Sequence, residues 1–574
     1  MEVTNHAIAD AFNEIAELLD IEGANPFRIR AYRNAARTVF SYPKEMQSLV
    51  EEGFDLTTLK TIGKDLSQKI TEMVHTGELQ FLNDLKRRIA PELEELLKIP
   101  GLGPKRVHLL HELLHIRSVR DLQSALENGR LSNIAGFGPK LLATLKNALG
   151  KKLAETKRYR LYDIRPVARS IADQLSHAQG VIRLEIAGSI RRRRDMPKDI
   201  DLIAACDEKN DIMERFVTLE NLHSIVMHGP TRSSIILKNG IHVDLRVVSE
   251  NEFGAALHHL TGSKAHNIEL RTIASKKGIK INEYGVFKGE ENIASKSETE
   301  LYQALGMPYI VPELRENRGE IEAALNNLLP RLIEPSQIRG DLHAHTTYTD
   351  GINTLEEMAL AAQARGYEYL AITDHTQHLR IAHGLGEEKL LEQLDAIDRL
   401  NSTLKGITLL KSAEVDILSD GTLDLPDTVL KRLDFTVCAV HYRFNLSAKE
   451  QTARILKAME NPYFTILAHP TGRLLGLREP YALEMEVLLR ACADYGTILE
   501  LNAQPDRLDI NDLHCRMAKE AGVKVAISTD AHSIADLELM EMGIGQARRG
   551  WLEKEDVLNT RSLPELLKLL RQRH

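Results

Sequence analysis

The second half of the chain repeats one pattern seven times, a short apolar run followed by a stretch of helical character. The runs are Asp341 to His345, Tyr369 to His375, Thr408 to Glu414, Phe435 to His441, Thr465 to His469, Thr497 to Asn502 and Val523 to His532. Strands that alternate with helices in this way pair in parallel and close into a barrel. We therefore expect residues 338–574 to form a distorted (β/α)7 barrel.

Almost every one of these runs ends in a residue that binds metal ions. The candidates are His343, His345, Asp350, His375, Glu414, His441, His469, Asp530 and His532. Active sites of such barrels form where the strands end, and imidazole with carboxylate suits zinc, manganese or iron. Nine ligands exceed what one ion can use, so the pattern predicts two or three ions. Such a cluster favours hydrolysis of a phosphoester at neutral pH.

A second acidic cluster is predicted upstream of the barrel. Asp199 and Asp201 alternate in a segment that would place both side chains on one face if it is extended. In residues 240–248 apolar and polar residues alternate, which places Asp244 on the polar face of a half-buried strand. Three carboxylates on neighbouring strands would hold two Mg²⁺ or Mn²⁺ ions for in-line phosphoryl transfer. The turn at Gly188 and Ser189 would cradle a phosphate tail.

The N-terminal part is predicted to be helical and to contain two phosphate-binding hairpins. Helices are expected over Asn5 to Asp20, Pro26 to Phe40 and Asp65 to Thr76. Residues 99–105 and 134–140 then repeat Gly-x-Gly-Pro-Lys, the helix-hairpin-helix signature, whose backbone amides bind DNA phosphates without reading sequence. The predicted DNA-binding residues are Gly101, Gly103, Lys105, Gly136, Gly138 and Lys140.

The net charge of −8 is unevenly distributed. Residues 341–574 have 26 basic and 36 acidic side chains, a net −10, whereas residues 1–340 carry +2. Charge that faces DNA must therefore be local, and Arg191 to Arg194 is the predicted location.

The sequence also constrains the compartment. It has no run of about 18 apolar residues and no signal-peptide pattern at its start. Its four cysteines are far apart, without a Cys-x-x-Cys motif, which indicates neither a disulfide framework nor a cysteine zinc site. We expect a cytoplasmic monomer that does not bind membranes.

The acidic cluster resembles the palm of the family X DNA polymerases, the DNA polymerase beta group. Gly188-Ser189, Arg192, the Asp199-x-Asp201 pair and Asp244 match, and the resemblance covers about the first 316 residues. It implies DNA polymerase activity on gapped or primer-template DNA with deoxynucleoside triphosphates as substrates. The residues implied to act are catalytic Asp199, Asp201, Asp244 and Arg246, nucleotide-binding Gly188, Ser189, Arg192, His259, Leu260, Gly262 and Asn267, and DNA-binding Arg271.

Two departures from that family pattern affect the predicted chemistry. His259-Leu260 stands where the resemblance implies Tyr-Phe before Thr-Gly, the pair that screens the sugar 2′ position, and Lys264 replaces an acidic residue. Lys69 lies at the position of the family's Schiff-base lysine, which would attack an abasic sugar. The surroundings differ, because Thr61 replaces a hairpin glycine and Arg28 replaces a second lysine.

The barrel motifs resemble the PHP (polymerase and histidinol phosphatase) superfamily, and all nine of its usual ligand positions have a matching residue type. This resemblance implies a trinuclear centre with Glu414 bridging two ions, and Arg473 within reach of a substrate phosphate. A polymerase beta-like core followed by PHP is the layout of bacterial and archaeal PolX proteins. It implies gap filling in base-excision repair, 3′-5′ exonuclease activity, and leaves abasic-site or 3′-end cleavage open.

Six segments are predicted. They are 1–85, a lyase-like helical domain; 86–150, the helix-hairpin-helix domain; 151–257, the nucleotidyltransferase palm; 258–316, the nucleotide-selecting subdomain; 317–337, a linker that contains a helix over Glu320 to Leu329; and 338–574, the PHP domain. Two alternatives stay open at this point. One is a DNA-binding scaffold with a weak or silent polymerase and an active PHP nuclease, and the other is a PHP phosphatase that acts on small molecules.

Overall fold

The computed structural model describes residues 3–42, 44–88, 96, 99, 101–134, 136–139, 141–142, 144–146 and 157–571. The chain divides into two compact units, Met1–Lys157 and Arg158–His574. In the part that is described, no helix combines the length and the apolar composition that crossing a membrane would take.

The first unit is helical. Its helices are α1 Asn5–Ile21, α2 Pro26–Ser41, α3 Met46–Glu51, α4 Lys64–Thr76, α5 Gln80–Arg88, α6 Pro104–Leu114 and α7 Val119–Glu127. Thr4 and Asn25 cap the first two helices by accepting a backbone N–H, and Pro26 occupies the first position of α2, where no N–H is needed. The three predicted helices are confirmed to within one residue at each end, whereas α3 and α5 were not predicted.

The second unit begins with a mixed sheet. Its strands are β1 Val181–Ile186, β2 Ile200–Cys206, β3 Leu222–Met227, β4 Arg232–Leu237 and β5 His242–Val248, in the spatial order β1-β2-β5-β4-β3. Strands β2 and β5 run parallel, and the other pairs are antiparallel. The helices are α8 Leu161–Ser176, α9 Gly188–Arg191 and α10 Ile212–Phe216. The predicted alternation in β5 is confirmed, because Val243, Leu245 and Val247 are buried and the residues between them are partly exposed.

A smaller α+β part follows the mixed sheet. It contains α11 Phe253–Thr261, α12 Lys264–Lys276, β6 Ile279–Asn282, β7 Gly285–Lys288, β8 Glu291–Ala294, α13 Glu298–Ala304 and α14 Glu320–Leu325. The prediction that the last helix extends to Leu329 is wrong. It ends at Leu325, and Asn327 turns the chain with a φ of +57°, a conformation that asparagine tolerates better than most residues.

The predicted barrel is confirmed, with a break in its third strand. The strands are β9 Gly340–Asp341, β10 Tyr369–Ile372, β11 Thr408–Lys411, β12 Glu414–Asp416, β13 Val437–Ala439, β14 Ile466–Leu467, β15 Ile498–Asn502 and β16 Val525–Ser528. They form two parallel sheets, β11-β10-β9 and β12-β13-β14-β15-β16. Bridges between His375 and Glu414 and between Ala344 and Ala531 join the sheets. The third run is thus divided between β11 and β12, which distorts the barrel.

A helix follows each of the seven strand positions. These are α15 Leu355–Ala364, α16 Glu387–Asn401, α17 Asp427–Leu430, α18 Ala448–Met459, α19 Met485–Tyr495, α20 Asp512–Glu520 and α21 Met540–Arg549, and α22 Leu563–Arg571 ends the described chain. Short 3₁₀ turns occur at Leu56–Thr58, Arg130–Asn133, Glu250–Glu252, Pro312–Leu314, Pro335–Gln337, Arg380–Ala382, Asp536–Leu539, Lys554–Asp556 and Leu558–Thr560. The strands therefore deliver their carboxyl ends to one rim, where the predicted ligands lie.

Candidate metal centres

The three palm carboxylates lie on and beside the parallel strands β2 and β5. Asp201 on β2 is directly opposite Asp244 on β5, and Asp199 immediately precedes β2. Burial, Asp199 and Asp244 together raise the pKa of Asp201 to about 7, and burial also raises the pKa of Asp199. Acids that disfavour each other's ionised form in this way suit a hard divalent cation, which would relieve the repulsion.

The backbone of the short helix α9 lies close to the side chain of Asp201. Gly188, the first residue of α9, has a φ of +60°, and a Cβ added there would lie 1.9 Å from Oδ2 of Asp201. The predicted Gly-Ser turn is thus one helical turn whose backbone reaches the carboxylate because position 188 has no side chain.

A cleft of about 350 Å³ opens beside these acids, and we call it the palm cleft. Its lining residues are Gly188, Ser189, Arg192, Asp199, Asp201, His259, Leu260, Gly262, Ser263, Lys264, Asn267 and Arg271. All seven residues predicted to bind the nucleotide are brought together here, with Arg271, which was predicted to bind DNA. The buried Ser189 Oγ and Asn267 Oδ1 have no hydrogen-bond partner within the described chain, so they are available to a ligand.

Two predicted residues lie at the margin of this arrangement. Asp244 accepts a hydrogen bond from Ser234 Oγ at 2.5 Å, and an Arg232 nitrogen lies 3.7 Å from the same carboxylate oxygen. Arg246, on the same face of β5, lies 3.6 Å from Glu283. Neither Asp244 nor Arg246 lines the palm cleft itself.

The arginine run that was predicted to face DNA is engaged in ion pairs within the protein. Arg191 pairs with Glu298 at 2.6 Å, Arg192 with Glu316 at 3.0 Å, and Arg193 lies within 4 Å of Glu313 and Glu541. Only Arg194, 3.8 Å from Glu316, keeps a substantially exposed side chain (41%). That this run faces DNA stays a prediction, and the carboxylates that pair with these arginines lie more than 100 residues further along the chain.

The nine predicted ligands of the barrel converge on its rim, and we call this set the barrel centre. Three overlapping groups have ligand atoms within 4.8 Å of one another: His345, Asp350, His375 and His532; His343, His345 and Asp530; and His375, Glu414 and His441. His469 joins the third group, because its Nε2 lies 2.9 Å from Glu414 Oε1. The palm acids are not among the groups of this kind found in the described residues.

Distances and charges in the barrel centre fit divalent cations. Nε2 of His343 and Nε2 of His345 are 3.1 Å apart, close to the roughly 3.3 Å expected of two nitrogens on one tetrahedral ion with bonds of about 2.0–2.1 Å. Burial works to lower the pKa of His375, but Glu414 and Asp350 raise it to about 10. These carboxylates favour the protonated imidazole when no metal is bound. A divalent cation would supply the positive charge in place of the proton.

Two buried carboxylates that support the barrel centre were not predicted. Glu500 on β15 accepts from Nδ1 of His343 at 2.6 Å and from the backbone N–H of His469 at 2.7 Å. Asp416 on β12 lies 3.0 Å from Nδ1 of His441. Acids that fix the second ring nitrogen orient a metal-binding histidine. In the sequence, Glu500 stands between Leu499 and Leu501, and Asp416 lies two residues after the predicted ligand Glu414.

The arginine predicted to reach a substrate phosphate is held elsewhere. Arg473 is buried, donates to the backbone oxygens of Arg507 and Leu508, and pairs with Asp195 at 3.1 Å. Arg507, in the loop after β15, has its Nε 3.9 Å from Oδ2 of the predicted ligand Asp530.

The predicted DNA-binding residues of the first unit that the structure describes are all exposed. Gly101 has a φ of +96° and Gly136 one of +90°, and Gly103 precedes the first turn of α6, with Pro104 at its start and Lys105 next. Gly138 is exposed, and Lys140 lies outside the described residues.

The candidate lysine lies beside charged and aromatic side chains. Lys69 on α4 pairs with Asp65, and its Nζ lies 5.2 Å from the ring centre of Phe81. Arg28 lies 4.9 Å from the same ring centre. Thr61, which replaces a hairpin glycine, adopts a φ of +76°, so the chain keeps the glycine-like conformation despite the side chain.

Comparison with known proteins agrees with this architecture. Family models match a helix-hairpin-helix domain at residues 3–79, a SAM-like helix-hairpin-helix tandem at 93–151, the DNA polymerase beta thumb at 256–316 and the PHP domain at 341–504. A probable phosphatase of Thermoanaerobacter sp. (strain X514) is 29% identical over 234 residues, which is 38% of this chain and 89% of that protein.

A second relative matches along nearly the whole length. The DNA polymerase/3′-5′ exonuclease PolX of Bacillus subtilis (strain 168) is 39% identical over 562 residues, 97% of this chain and 98% of that protein. Because this similarity extends over nearly the whole of both proteins, and this chain matches the DNA polymerase beta thumb and PHP models, it belongs to the PolX family of DNA polymerases with a PHP domain.

Proposed function

We propose that this chain fills short gaps in DNA by nucleotidyl transfer in the palm cleft and removes 3′-terminal nucleotides at the barrel centre. The observation that carries the first part is the pairing of Asp201 with Asp244 across parallel strands, beside a cleft that all the predicted nucleotide-binding residues line. The relative that aligns with 97% of this chain is named a DNA polymerase and 3′-5′ exonuclease.

In the palm cleft each residue has a proposed task. Asp199, Asp201 and Asp244 hold two Mg²⁺ or Mn²⁺ ions, which supply charge neutralisation and align the attacking and leaving oxygens. Ser189 and the amides of α9 bind the triphosphate of a deoxynucleoside triphosphate, and Arg192 adds a fixed positive charge. His259 and Leu260 lie where the sugar would be screened, so selection between deoxyribose and ribose depends on them.

At the barrel centre, the nine predicted ligands hold two or three Zn²⁺, Mn²⁺ or Fe ions. Glu414 contributes both carboxylate oxygens, since Oε1 faces His441 and His469 while Oε2 faces His375. Glu500 and Asp416 hold histidine rings in the tautomer that presents Nε2 to an ion. This donor set suits phosphodiester hydrolysis and extends to abasic-site or 3′-phosphate cleavage.

The first unit is proposed to hold the DNA. The hairpins at Gly101–Lys105 and at residues 136–140 bind phosphates of the duplex through backbone amides, independently of sequence. Lys69 is the proposed nucleophile for an abasic sugar. Borohydride reduction should trap wild-type protein on a 5′-deoxyribose phosphate end, and loss of trapping in Lys69→Ala but not in Lys86→Ala would assign the reaction.

A gapped duplex tests the main proposal. Wild type with Mg²⁺ or Mn²⁺ should add the templated nucleotide to a one-nucleotide gap, and Asp199→Ala should remove extension without removing nuclease activity. His343→Ala should do the reverse. Metal analysis of the same preparation should find two or three ions that resist dialysis. No extension by wild type, or unchanged extension in Asp199→Ala, would refute the polymerase assignment.

A phosphatase acting on small molecules is not favoured. Two probable phosphatases from Thermoanaerobacter align with 38% of this chain, whereas the polymerase/exonuclease relative aligns with 97% of it. A scaffold with a silent polymerase is also not favoured, because the three palm acids lie together beside an intact cleft.

A further inference from the structure

An arginine of the barrel reaches the polymerase side of the molecule. Arg549, the last residue of α21, has a side chain that is only 3% exposed. Its Nη1 donates to the backbone oxygen of Arg192 at 2.7 Å and to Glu316 Oε1 at 3.0 Å, and its Nη2 donates to Asp512 at 2.6 Å. One guanidinium therefore connects three acceptors.

The same carboxylate oxygen holds the side chain of Arg192. Nε of Arg192 donates to Glu316 Oε1 at 3.0 Å, and its Nη1 donates to the backbone oxygen of Thr261. Arg192 lines the palm cleft with Asp199 and Asp201. Both the backbone and the side chain of this cleft arginine are thus connected to Arg549, directly and through Glu316.

The geometry is one that only arginine provides. A planar guanidinium presents several donors in a fixed fork, whereas a lysine ammonium is a point charge on a flexible stem. The side chains of Arg192 and Glu316 are 10% and 9% exposed. Burial alone would raise the pKa of Glu316, and Arg549 and Arg192 keep it below its usual value. Without Arg549, Glu316 would be a poorer partner for Arg192.

We propose that Arg549 is a positioning residue for nucleotide binding, which fixes Arg192 through Glu316 and the Arg192 carbonyl. The barrel then contributes to the affinity of the palm cleft for the triphosphate, in addition to its own hydrolytic centre. This inference rests on the proposed role of the palm cleft in binding deoxynucleoside triphosphates.

The competing explanation is that any contact between the barrel and the polymerase part would have the same effect. Arg548 is a matched control for it. It is adjacent on α21, its side chain is 12% exposed, and it pairs with Glu313 at 2.9 Å and Glu334 at 2.6 Å. It makes no hydrogen bond or ion pair with Arg192 or Glu316 among the described residues.

The test compares full-length variants in filling a one-nucleotide gap. Arg549→Met should raise KM for the incoming nucleotide about tenfold, the effect of one charged hydrogen bond, with little change in nuclease activity. Arg549→Lys should restore only part of the affinity, and Arg548→Met should leave KM within about twofold of wild type. Equal KM values for Arg549→Met and wild type, or an equal rise in Arg548→Met, would overturn the proposal.

A second variant approaches the same contact from the polymerase side. Glu316→Gln should raise KM as Arg549→Met does, and the double variant should add little, because both changes remove one connected contact. If Arg549→Met loses nuclease activity and so fails to fold, Glu316→Gln decides, and an unchanged KM there refutes the proposal. Absence of extension by wild type would instead refute the proposed function of the palm cleft.

Discussion

The two centres of this protein are built in different ways. The barrel centre takes its ligands from the ends of one set of parallel strands, and the ligands contact each other at 2.8–3.8 Å. The palm cleft is lined by Asp199 and Asp201, with Asp244 beside it on the strand paired with that of Asp201, and its other lining residues include members of α11 and α12. Its nearby arginines are tied to Glu298, Glu316 and Glu541. One centre is held by its own ligands and the other by ion pairs around it.

If the barrel centre does not depend on the palm cleft, substitution of Glu414 should have the largest effect of all the predicted changes. That effect should be confined to nuclease activity. Glu414→Ala should lower nuclease activity by about a thousandfold or more, because His375, His441 and His469 lose the carboxylate that they share. Gap filling should remain within about twofold of wild type. Digestion of a labelled 3′ end and extension of a gapped duplex measure the two activities, with exposed Glu388→Ala as control. A parallel loss of extension would contradict the independence of the centres.

Substitution in the palm cleft should have the opposite result, with gap filling lowered and nuclease activity retained. Asp201→Asn should lower extension by about a hundredfold to a thousandfold, since one of three cation-binding charges is lost. Exposed Asp207→Asn, just beyond the end of the same strand, is the matched control. Single-turnover extension in Mg²⁺ measures the effect. If Asp201→Asn retained wild-type rates, the palm acids would have a role other than catalysis.

The barrel ligands could be predicted from sequence because parallel strands bring their carboxyl ends to one rim, so strand-end position alone specifies proximity. The palm acids could be predicted because alternation in β5 sets the face of Asp244. The roles of Arg191 to Arg193 could not, because their charge partners are set by tertiary packing across more than 100 residues. Asp416 and Glu500 were missed for a simpler reason: they support histidines and have no motif of their own.

Acidic pH should destabilise the structure around the palm cleft, because it protonates carboxylates that form ion pairs there. Burial alone would raise the pKa of Glu298, but Arg191 and Arg315 hold it well below its usual value of 4.5. A carboxylate with a lowered pKa stabilises the fold above the unfolded-state value, and this contribution is lost as the pH falls below it. Glu298→Gln should therefore lower the free energy of unfolding by about 3 kcal/mol at pH 7, because two arginines lose a buried partner.

The difference in the free energy of unfolding between Glu298→Gln and wild type should shrink as the pH falls below 4.5, the usual pKa of a glutamate carboxyl. Urea unfolding at several pH values, followed by a signal from the polymerase part of the protein, measures this difference in the free energy of unfolding. Exposed Glu300→Gln on the same helix α13 should be neutral throughout. A pH-independent difference would mean that packing, not charge, holds this wall of the palm cleft.

The smallest effect is expected for Glu500, a carboxylate outside the predicted ligands. It tests whether the ligands of the barrel centre hold their positions without such support. Glu500→Gln keeps the size of the side chain but removes the charge that holds Nδ1–H of His343, so metal affinity or nuclease activity should fall about 10- to 100-fold. Excess metal should restore much of the activity if affinity is the cause, which a structural defect would not allow. Exposed Glu486→Gln on α19 is the control. Wild-type metal affinity in Glu500→Gln would show that the strand ends alone orient His343, and that the barrel centre needs no outer support at all.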